Sequence, residues 1–220
     1  MISGVFGLPG SGKSLFLGMI ASRAVNKKSI NFRGLVLGGC KKYEYVYTNF
    51  YCKGCFRLDY DKLGVYNYSN CLILVDEIML LSDSRNYKNF ADNLKFFYAE
   101  HRKSNCDFVY ASQSYDDVDK KIRNRTQQLY YVDSWFLYFS RVRRIVNYFD
   151  VSNGKINEGY IYAPPITDFH FWRPWHYKNI DSYEFINGHL EVQEPEFIPW
   201  EENNKTLGAG QGGKPPLCGG

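Results

Sequence analysis

The chain has 220 residues, with 27 Lys and Arg against 23 Asp and Glu, and a formal net charge of +4. This length allows one sizeable domain with an extension, and so small a charge surplus argues against a dedicated basic DNA-binding module. Hydrophobic residues make up 45% and charged residues 23% of the sequence, which excludes disorder for most of the chain.

Strand-like and helix-like segments alternate along the first half of the chain. Apolar and aromatic runs predict strands at Ile2–Phe6, 44–50, Cys71–Val75, 107–111 and 128–132. Apolar residues at helical spacing predict helices at 13–24 and 91–102. The continuous apolar run Cys71–Val75 is typical of a strand buried on both faces of a parallel sheet. This order predicts an α/β fold with a mainly parallel central sheet.

The pattern changes near residue 134. Residues 136–149 are aromatic and β-branched, and Asn153-Gly154 is typical of a hairpin turn before a further strand at 159–162. We therefore expect an antiparallel β extension in the C-terminal third. Gly, Pro and Lys dominate from about residue 203, which predicts a flexible tail. The predicted organisation is a core over 1–133, a β-rich extension of the same domain over 134–202, and a tail over 203–220.

No targeting or membrane-spanning segment is expected. The first residues contain neither a basic region nor a cleavage site, and the longest apolar runs, Cys71–Val75 and 135–139, are far shorter than the roughly 18 residues of a membrane span. Six cysteines in such a chain fit a reducing cytosol better than a disulfide framework.

Residues 7–14, Gly-Leu-Pro-Gly-Ser-Gly-Lys-Ser, match the P-loop pattern at every position and lie between a predicted strand and a predicted helix. Glycines let backbone N–H groups approach phosphate oxygens, and the helix N-terminus points its positive end at the same place. Lys13 is expected to reach the β- and γ-phosphates of ATP, and Ser14 to bind Mg²⁺. The predicted nucleotide-binding residues of the loop are Gly7, Pro9, Gly10, Ser11, Gly12, Lys13 and Ser14.

Two acidic residues, Asp76 and Glu77, directly follow the buried strand Cys71–Val75, and we call them the acidic pair. After a complete P-loop, this position predicts that Asp76 lies beside the Mg²⁺ that Ser14 binds. Glu77 is then available as the general base that polarises the attacking water.

Two further candidates follow the strand predicted at 107–111. Gln113 is expected at the carboxyl edge of the sheet, where it either contacts the γ-phosphate or the water, or simply caps the strand. A basic cluster comes next, and one of its arginines is a candidate for acting on the ATP of a neighbouring subunit. A solvated basic face is the alternative. The cluster contains Lys120, Lys121, Arg123 and Arg125.

Cysteine spacing raises the question of zinc. Cys52-Lys53-Gly54-Cys55 has the spacing of a zinc-binding pair, with Cys40 as a candidate third ligand and no fourth at comparable spacing. Ordinary thiols are the alternative, and the pattern leaves both open.

Taken together, the motifs resemble those of the zonula occludens toxin-like (Zot-like) assembly ATPases of filamentous phages, over about residues 1 to 185. The P-loop is common to many families, so the resemblance depends on five other features in the same order. These are Tyr47-Thr48-Asn49, Leu74-Val75-Asp76-Glu77, the segment from Glu100 to Gln113, Asp119-Lys120-Lys121-Ile122-Arg123, and Ile180-Asp181-Ser182-Tyr183-Glu184.

The resemblance implies a RecA-like P-loop NTPase domain at the cytoplasmic face of the host inner membrane, where a ring of subunits powers extrusion of the single-stranded DNA virion. It implies that Gln113 senses the γ-phosphate, and that Arg123, with Arg125 as the next candidate, acts in trans. The implied partners are further copies of the chain, phage or host inner-membrane assembly proteins, and single-stranded DNA with its coating protein. Members of the family commonly continue into a transmembrane helix and a periplasmic domain, whereas this sequence ends in a Gly/Pro tail. We therefore expect either an anchor on a partner chain or a soluble half of a split or shortened protein.

Two other functions remain open. Small nucleoside or nucleotide kinases also begin with such a P-loop, although the acidic pair joins a metal ligand to a hydrolytic base and no arginine-rich lid is evident. A structural subunit that binds ATP without turnover is the non-enzymatic alternative. A GTPase is disfavoured, because Asn26-Lys27-Lys28-Ser29 lacks the Asp that recognises guanine.

Overall fold

The computed structural model describes residues 1–31, 43–66, 68–79, 87–152 and 155–181. The described strands are β1 (Ile2–Phe6), β2 (Tyr45–Thr48), β3 (Tyr51–Cys52), β4 (Phe56–Arg57), β5 (Cys71–Val75), β6 (Asp107–Ser112), β7 (Gln128–Phe136), β8 (Phe139–Ser152), β9 (Lys155–Tyr162), β10 (Phe169–Trp172) and β11 (Ile180–Asp181). The described helices are α1 (Lys13–Val25), α2 (Tyr87–Glu100) and α3 (Lys120–Arg123). None of the helices within these ranges combines the length and the hydropathy that crossing a membrane requires. Cys40, the turn predicted at Asn153-Gly154, and residues 182–220 with the predicted tail lie outside the described residues.

One sheet of nine strands organises the fold, in the order β10-β8-β7-β1-β6-β5-β2-β4, with β9 also paired to β8. The six strands from β7 to β4 in this order are parallel, whereas β8, β9 and β10 join antiparallel. The predicted α/β fold with a mainly parallel sheet and an antiparallel C-terminal extension is therefore confirmed. A separate pair, β3 with β11, lies outside the main sheet.

The strand order determines where the motifs meet. β1 lies between β6 and β7, and β6 separates β1 from β5. In this register Phe6 is level with Ser112, and Val75 with Tyr110. Because the three strands are parallel, the P-loop, the acidic pair and Gln113 all leave the sheet at one edge, within a residue or two of the same level. Ligands bind at this carboxyl edge in α/β folds.

The core consists of two apolar layers, one on each face of the sheet. Phe16, Leu17 and Ile20 of α1 are fully buried in one layer. Phe97 and Tyr98 of α2 belong to the other. Every residue of β5 and β6 is buried, as the continuous apolar run of β5 predicts for a central parallel strand. Each such large apolar side chain stabilises the fold by about 1.5–3 kcal/mol on burial, which fixes the strands that carry the motifs.

The structure divides the aromatic segment differently from the sequence prediction. β7 continues to Phe136 and β8 begins at Phe139, so the strand predicted over 136–149 is wrong at its start. A tight turn at Leu137 and Tyr138 separates the two strands, with Leu137 at a φ of 43°. No Gly or Asn marks this turn, which is why the sequence pattern missed it. Residue 134, where the extension was predicted to begin, lies inside β7.

Candidate nucleotide site

The loop between β1 and α1 has the backbone geometry of a phosphate cradle. Gly10 and Gly12 have φ values of 74° and 99°, in the left-handed region that favours glycine. A Cβ on Gly7 would collide with the carbonyl oxygen of Val132 on β7. Gly12 is the N-cap of α1, and glycine has no side chain that could bond to the first N–H groups of the helix. Such N–H groups bind anions at helix N-termini.

Lys13 lies inside this loop. Its side chain is only 5% exposed, and its ammonium donates hydrogen bonds to the carbonyl oxygens of Gly7 at 2.9 Å and Leu8 at 3.2 Å. An ammonium has three N–H donors, and these bonds use two of them. The loop therefore holds a positive charge at the place predicted for the phosphates. The remaining predicted loop residues surround this charge, with Ser11 buried and Pro9 and Gly10 exposed.

Ser14 and Asp76 come together as predicted for a pair of metal ligands. The Ser14 hydroxyl and the Lys13 charge both act on the Asp76 carboxyl group and favour its ionised form by lowering its pKa. Burial nevertheless raises the pKa of Asp76 above its ordinary value, assisted by the neighbouring negative charge of Glu77. The carboxylate thus lacks compensating positive charge. Hydroxyl and carboxylate oxygens are the hard donors that Mg²⁺ prefers, so these two residues fit a magnesium ion.

Asn49 is a site residue that the sequence analysis gave no role. Its Nδ2 donates to the backbone carbonyl of Asp76 at 2.7 Å, and its Oδ1 accepts from the backbone N–H of Asp76 at 2.7 Å. Asn49 follows β2, the neighbour of β5, by one residue. A polar residue just past a parallel strand is the same signal that pointed to Gln113, so this role could have been found.

Glu77 and Gln113 meet at the edge of the sheet. Gln113 Nε2 donates to Glu77 Oε1 at 3.3 Å, whereas Glu77 Oε2 is buried and has no hydrogen-bond partner within the described part of the chain. The backbone of Glu77 has a φ of 51°, a conformation that non-glycine residues adopt rarely and that costs about 1–3 kcal/mol. Ile78 N–H then bonds to the carbonyl of Ala111 at 2.9 Å, which anchors the turn to β6. One carboxylate oxygen of Glu77 is thus bonded to Gln113, and the other has no hydrogen-bond partner in the described part of the chain.

Arg123 contacts Asp116 and Tyr115 and none of the P-loop residues or the acidic pair in the contacts that the structure gives for it. It lies on α3, where Nη1 forms an ion pair with Asp116 Oδ1 at 3.0 Å and the guanidinium lies 5.0 Å from the ring centre of Tyr115. Its side chain is 24% exposed. Arg125 is exposed and its Nη1 donates to the carbonyl of Lys121 at 3.4 Å. Both arginines are therefore accessible from outside the chain, and their trans role stays a prediction.

Cys52 and Cys55 are both fully buried. The N–H of Cys55 bonds to the carbonyl of Cys52 at 3.0 Å, and Gly54 between them has a φ of 81°, so the four residues form a tight turn. The hydrogen bond between the thiols, together with burial, raises the pKa of Cys55 and favours the neutral thiol. Within the described ranges no three His, Cys, Asp or Glu side chains converge as a metal cluster would require.

The sheet order and the motifs define an α/β fold of P-loop type, with the P-loop between β1 and α1 at the carboxyl edge of a mainly parallel sheet. The structure is similar to the N-terminal domain of zonular occludens toxin from Neisseria meningitidis, at 15% identity over 75% of this chain and 95% of that chain, with a TM-score of 0.43. It is also similar to the flagellar accessory protein FlaH from Methanocaldococcus jannaschii, at 13% identity over 72% and 88% of the two chains, with a TM-score of 0.37. The FIGL-1 AAA domain in complex with ADP is similar at 16% identity over 59% of this chain and 42% of that chain, with a TM-score of 0.36.

No family model matches the sequence, and the search of curated proteins finds no significant match.

Proposed function

We propose that the chain binds ATP with Mg²⁺ at its P-loop and hydrolyses it to ADP and phosphate. The observation that carries this proposal is that the two residues of the acidic pair have different surroundings. Asp76 lies where the Ser14 hydroxyl and the Lys13 charge both act on its carboxyl group, while Glu77 accepts a hydrogen bond from Gln113 through one oxygen only. A metal ligand and a separately held base on consecutive residues suit the attack of water on a γ-phosphate.

Each residue then has a defined task. Lys13 and the N–H groups of the loop bind the phosphates, and Ser14 and Asp76 hold the metal ion. Bound Mg²⁺ supplies positive charge to the phosphate oxygens. The unpartnered Oε2 of Glu77 accepts the proton of the attacking water, and the Gln113 amide keeps the carboxylate oriented toward that water. The hydrogen bonds of Lys13 to Gly7 and Leu8 are exchanged for phosphate contacts when ATP binds.

For the biological role, we propose that ATP hydrolysis drives assembly and extrusion of filamentous phage at the host inner membrane. The support is the order of motifs shared with Zot-like ATPases. In this role the chain acts as a ring of subunits in the host cytoplasm, attached to the cytoplasmic face of the membrane through phage or host assembly proteins. It acts on or beside single-stranded DNA and its coating protein. Stimulation of the ATPase rate by single-stranded DNA, compared with duplex DNA of the same sequence, tests this role.

Two variants test the ATPase proposal. Lys13→Ala removes ground-state phosphate contacts, so we expect it to weaken binding of a fluorescent ATP analogue about tenfold or more. Glu77→Gln keeps the shape of the side chain but removes the base, so it should bind the analogue like the wild type and hydrolyse ATP about 10²–10⁴ times more slowly. Glu100→Gln, on α2 where Glu100 pairs with Lys103 at 2.6 Å, is the matched control.

Wild-type turnover in Glu77→Gln, or an equal loss of binding in Lys13→Ala and Glu77→Gln, would contradict the assigned base. Binding without any turnover in the wild type would indicate the structural subunit instead.

A further inference from the structure

Two backbone carbonyls of the P-loop are bound by side chains from the antiparallel extension. Ser140 Oγ on β8 donates to the carbonyl oxygen of Ser11 at 2.6 Å, and both residues are buried. Arg173 Nη1, just after β10, donates to the carbonyl oxygen of Gly10 at 3.2 Å. Ser140 is 129 residues from Ser11 in the sequence, and Arg173 is 163 residues from Gly10. No local sequence pattern could therefore have predicted these contacts.

The bond from Ser140 determines the direction of a loop N–H group. The peptide bond between Ser11 and Gly12 is planar and trans, so its C=O and N–H point in opposite directions. Because Ser140 holds the C=O toward β8, the N–H of Gly12 points away from β8 and is available to a ligand of the loop. A Cβ on Gly12 would lie only 2.5 Å from Ser140 Oγ. The glycine at position 12 and the hydroxyl at position 140 therefore depend on each other.

Arg173 joins the P-loop to the turn between β7 and β8. Its backbone N–H bonds to the carbonyl of Tyr138 at 3.0 Å. Its Nη2 shares its two N–H groups among three acceptors in or beside this turn, Ser134 Oγ at 3.2 Å, Leu137 O at 3.4 Å and Phe139 O at 3.3 Å. One guanidinium thus reaches Gly10 with one nitrogen and the turn with the other. A lysine ammonium is a single point of charge and lacks this fork geometry.

We propose that Ser140 and Arg173 are positioning residues that hold the P-loop in its phosphate-binding conformation before ATP arrives. This inference rests on the proposed ATPase function. A loop that is already ordered loses less conformational freedom on binding, so the two residues increase the affinity for ATP. They bind carbonyl oxygens of the loop and not its N–H groups, and the proposed general base Glu77 follows β5 and not β8 or β10. Their contribution therefore concerns binding and leaves the chemical step unchanged.

Steady-state kinetics of four variants test this inference. Ser140→Ala removes one hydroxyl, Arg173→Met removes the guanidinium, and Arg173→Lys keeps the charge without the fork. Arg143→Met is the matched control, because Arg143 lies on β8 but pairs with Asp133 at 3.0 Å and stacks on the ring of Tyr162 at 3.8 Å. Melting temperatures of all variants are measured in parallel.

We expect Ser140→Ala and Arg173→Met each to raise KM for ATP, and Kd for a fluorescent ATP analogue, about tenfold. kcat at saturating ATP should stay within about twofold of the wild type, as expected when only ground-state binding is lost. Arg173→Lys should fall between Arg173→Met and the wild type. Arg143→Met should keep the wild-type KM even if its melting temperature falls as much as that of Ser140→Ala or Arg173→Met. This result separates positioning of the P-loop from a general loss of stability.

Wild-type KM in Ser140→Ala and in Arg173→Met would overturn the inference, as would an equal rise in Arg143→Met. If Arg173→Met does not fold, Ser140→Ala gives the decisive result, since it removes a single oxygen atom. Failure of the proposed function is a different result, because the wild-type chain itself would then neither bind the analogue nor hydrolyse ATP.

Discussion

The side-chain amide of Asn49 holds the backbone of Asp76 on both sides, donating to its carbonyl and accepting from its N–H, each at 2.7 Å. The two residues follow neighbouring parallel strands, so the amide replaces the ladder hydrogen bonds that would have continued between β2 and β5. It fixes the point at which the chain leaves β5 and turns through Glu77, whose φ is 51°. The position of the proposed base thus depends on an amide from another strand.

This relationship predicts a specific defect in Asn49→Ala. The variant loses both hydrogen bonds and leaves partly buried backbone groups of Asp76 unpaired, so we expect a loss of about 1–3 kcal/mol in the free energy of unfolding. Hydrolysis should fall about tenfold or more because Glu77 is no longer held, whereas binding of an ATP analogue should stay close to the wild type. Asn26→Ala is the control, since Asn26 Nδ2 also donates to a backbone carbonyl, that of Ser22, at 2.7 Å. Wild-type turnover in Asn49→Ala would show that the amide does not position the base.

A site residue could be predicted when its signal lies next to it in the sequence, and could not when its partner lies far away along the chain. The P-loop, the acidic pair and Gln113 were found because each directly follows its own strand, and an apolar run followed by glycines or polar residues is a local pattern. Asn49 carries the same signal. Ser140 and Arg173 carry none, because their partners in the P-loop are 129 and 163 residues away. Likewise the turn at Leu137 was missed, since an aromatic segment without Gly or Asn resembles one continuous strand.

His101 predicts how stability depends on pH. The side chain is 5% exposed, its Nδ1 lies 3.0 Å from the carbonyl oxygen of Tyr98 and therefore carries the proton, and its Nε2 is buried without a partner in the described part of the chain. Burial lowers the pKa of His101 below its ordinary value of 6.5. As the pH falls below that value, the unfolded chain binds a proton that the folded chain does not. The stabilisation is therefore present above pH 6.5 and is lost as the pH decreases toward the folded-state pKa, by at most about 1.4 kcal/mol per pH unit.

Urea unfolding at pH 7.5 and pH 5.5 checks this expectation. His101→Gln should show a smaller loss of unfolding free energy between the two pH values than the wild type. His170→Gln, which changes an exposed histidine on β10, should keep the wild-type difference. An unchanged pH dependence in His101→Gln would mean that other groups determine the loss of stability in acid.

Cys52 and Cys55 lead to a prediction about metal content. Both side chains are fully buried, and the bond between the thiols together with burial raises the pKa of Cys55, which opposes the thiolate form that zinc requires. Protein purified without chelator should contain no stoichiometric zinc by elemental analysis, and added chelator should leave the melting temperature unchanged. One zinc per chain, lost together with folding on treatment with chelator, would instead identify a structural site that includes residues beyond this pair.

Arg123 predicts that activity depends on assembly. It follows Gln113 by ten residues and lies past the carboxyl edge of the sheet, held by Asp116 at 3.0 Å. Asp116 is 90% exposed, so an exposed ion pair of this kind contributes little and can be exchanged for a phosphate on a neighbouring subunit. Trans-acting arginines increase turnover about 10³–10⁵-fold in other P-loop enzymes. Specific activity should therefore rise with protein concentration, and Arg123→Ala should hydrolyse ATP slowly while retaining its affinity for ATP.

Mixing two inactive variants tests whether Arg123 acts across the subunit boundary. An Arg123→Ala chain keeps an intact P-loop, and a Lys13→Ala chain keeps its arginine. In a mixed assembly some interfaces combine the intact P-loop of one subunit with the arginine of its neighbour, so we expect part of the activity to return. Asp116→Asn is a useful companion, because it releases Arg123 without removing it and should leave turnover at least as high as in the wild type. If mixed assemblies form, as shown by differently tagged subunits that copurify, and yet are no more active than either variant alone, Arg123 does not act in trans. Arg125 is exposed and directly follows Asn124, the C-cap of α3. It is then the next arginine to replace.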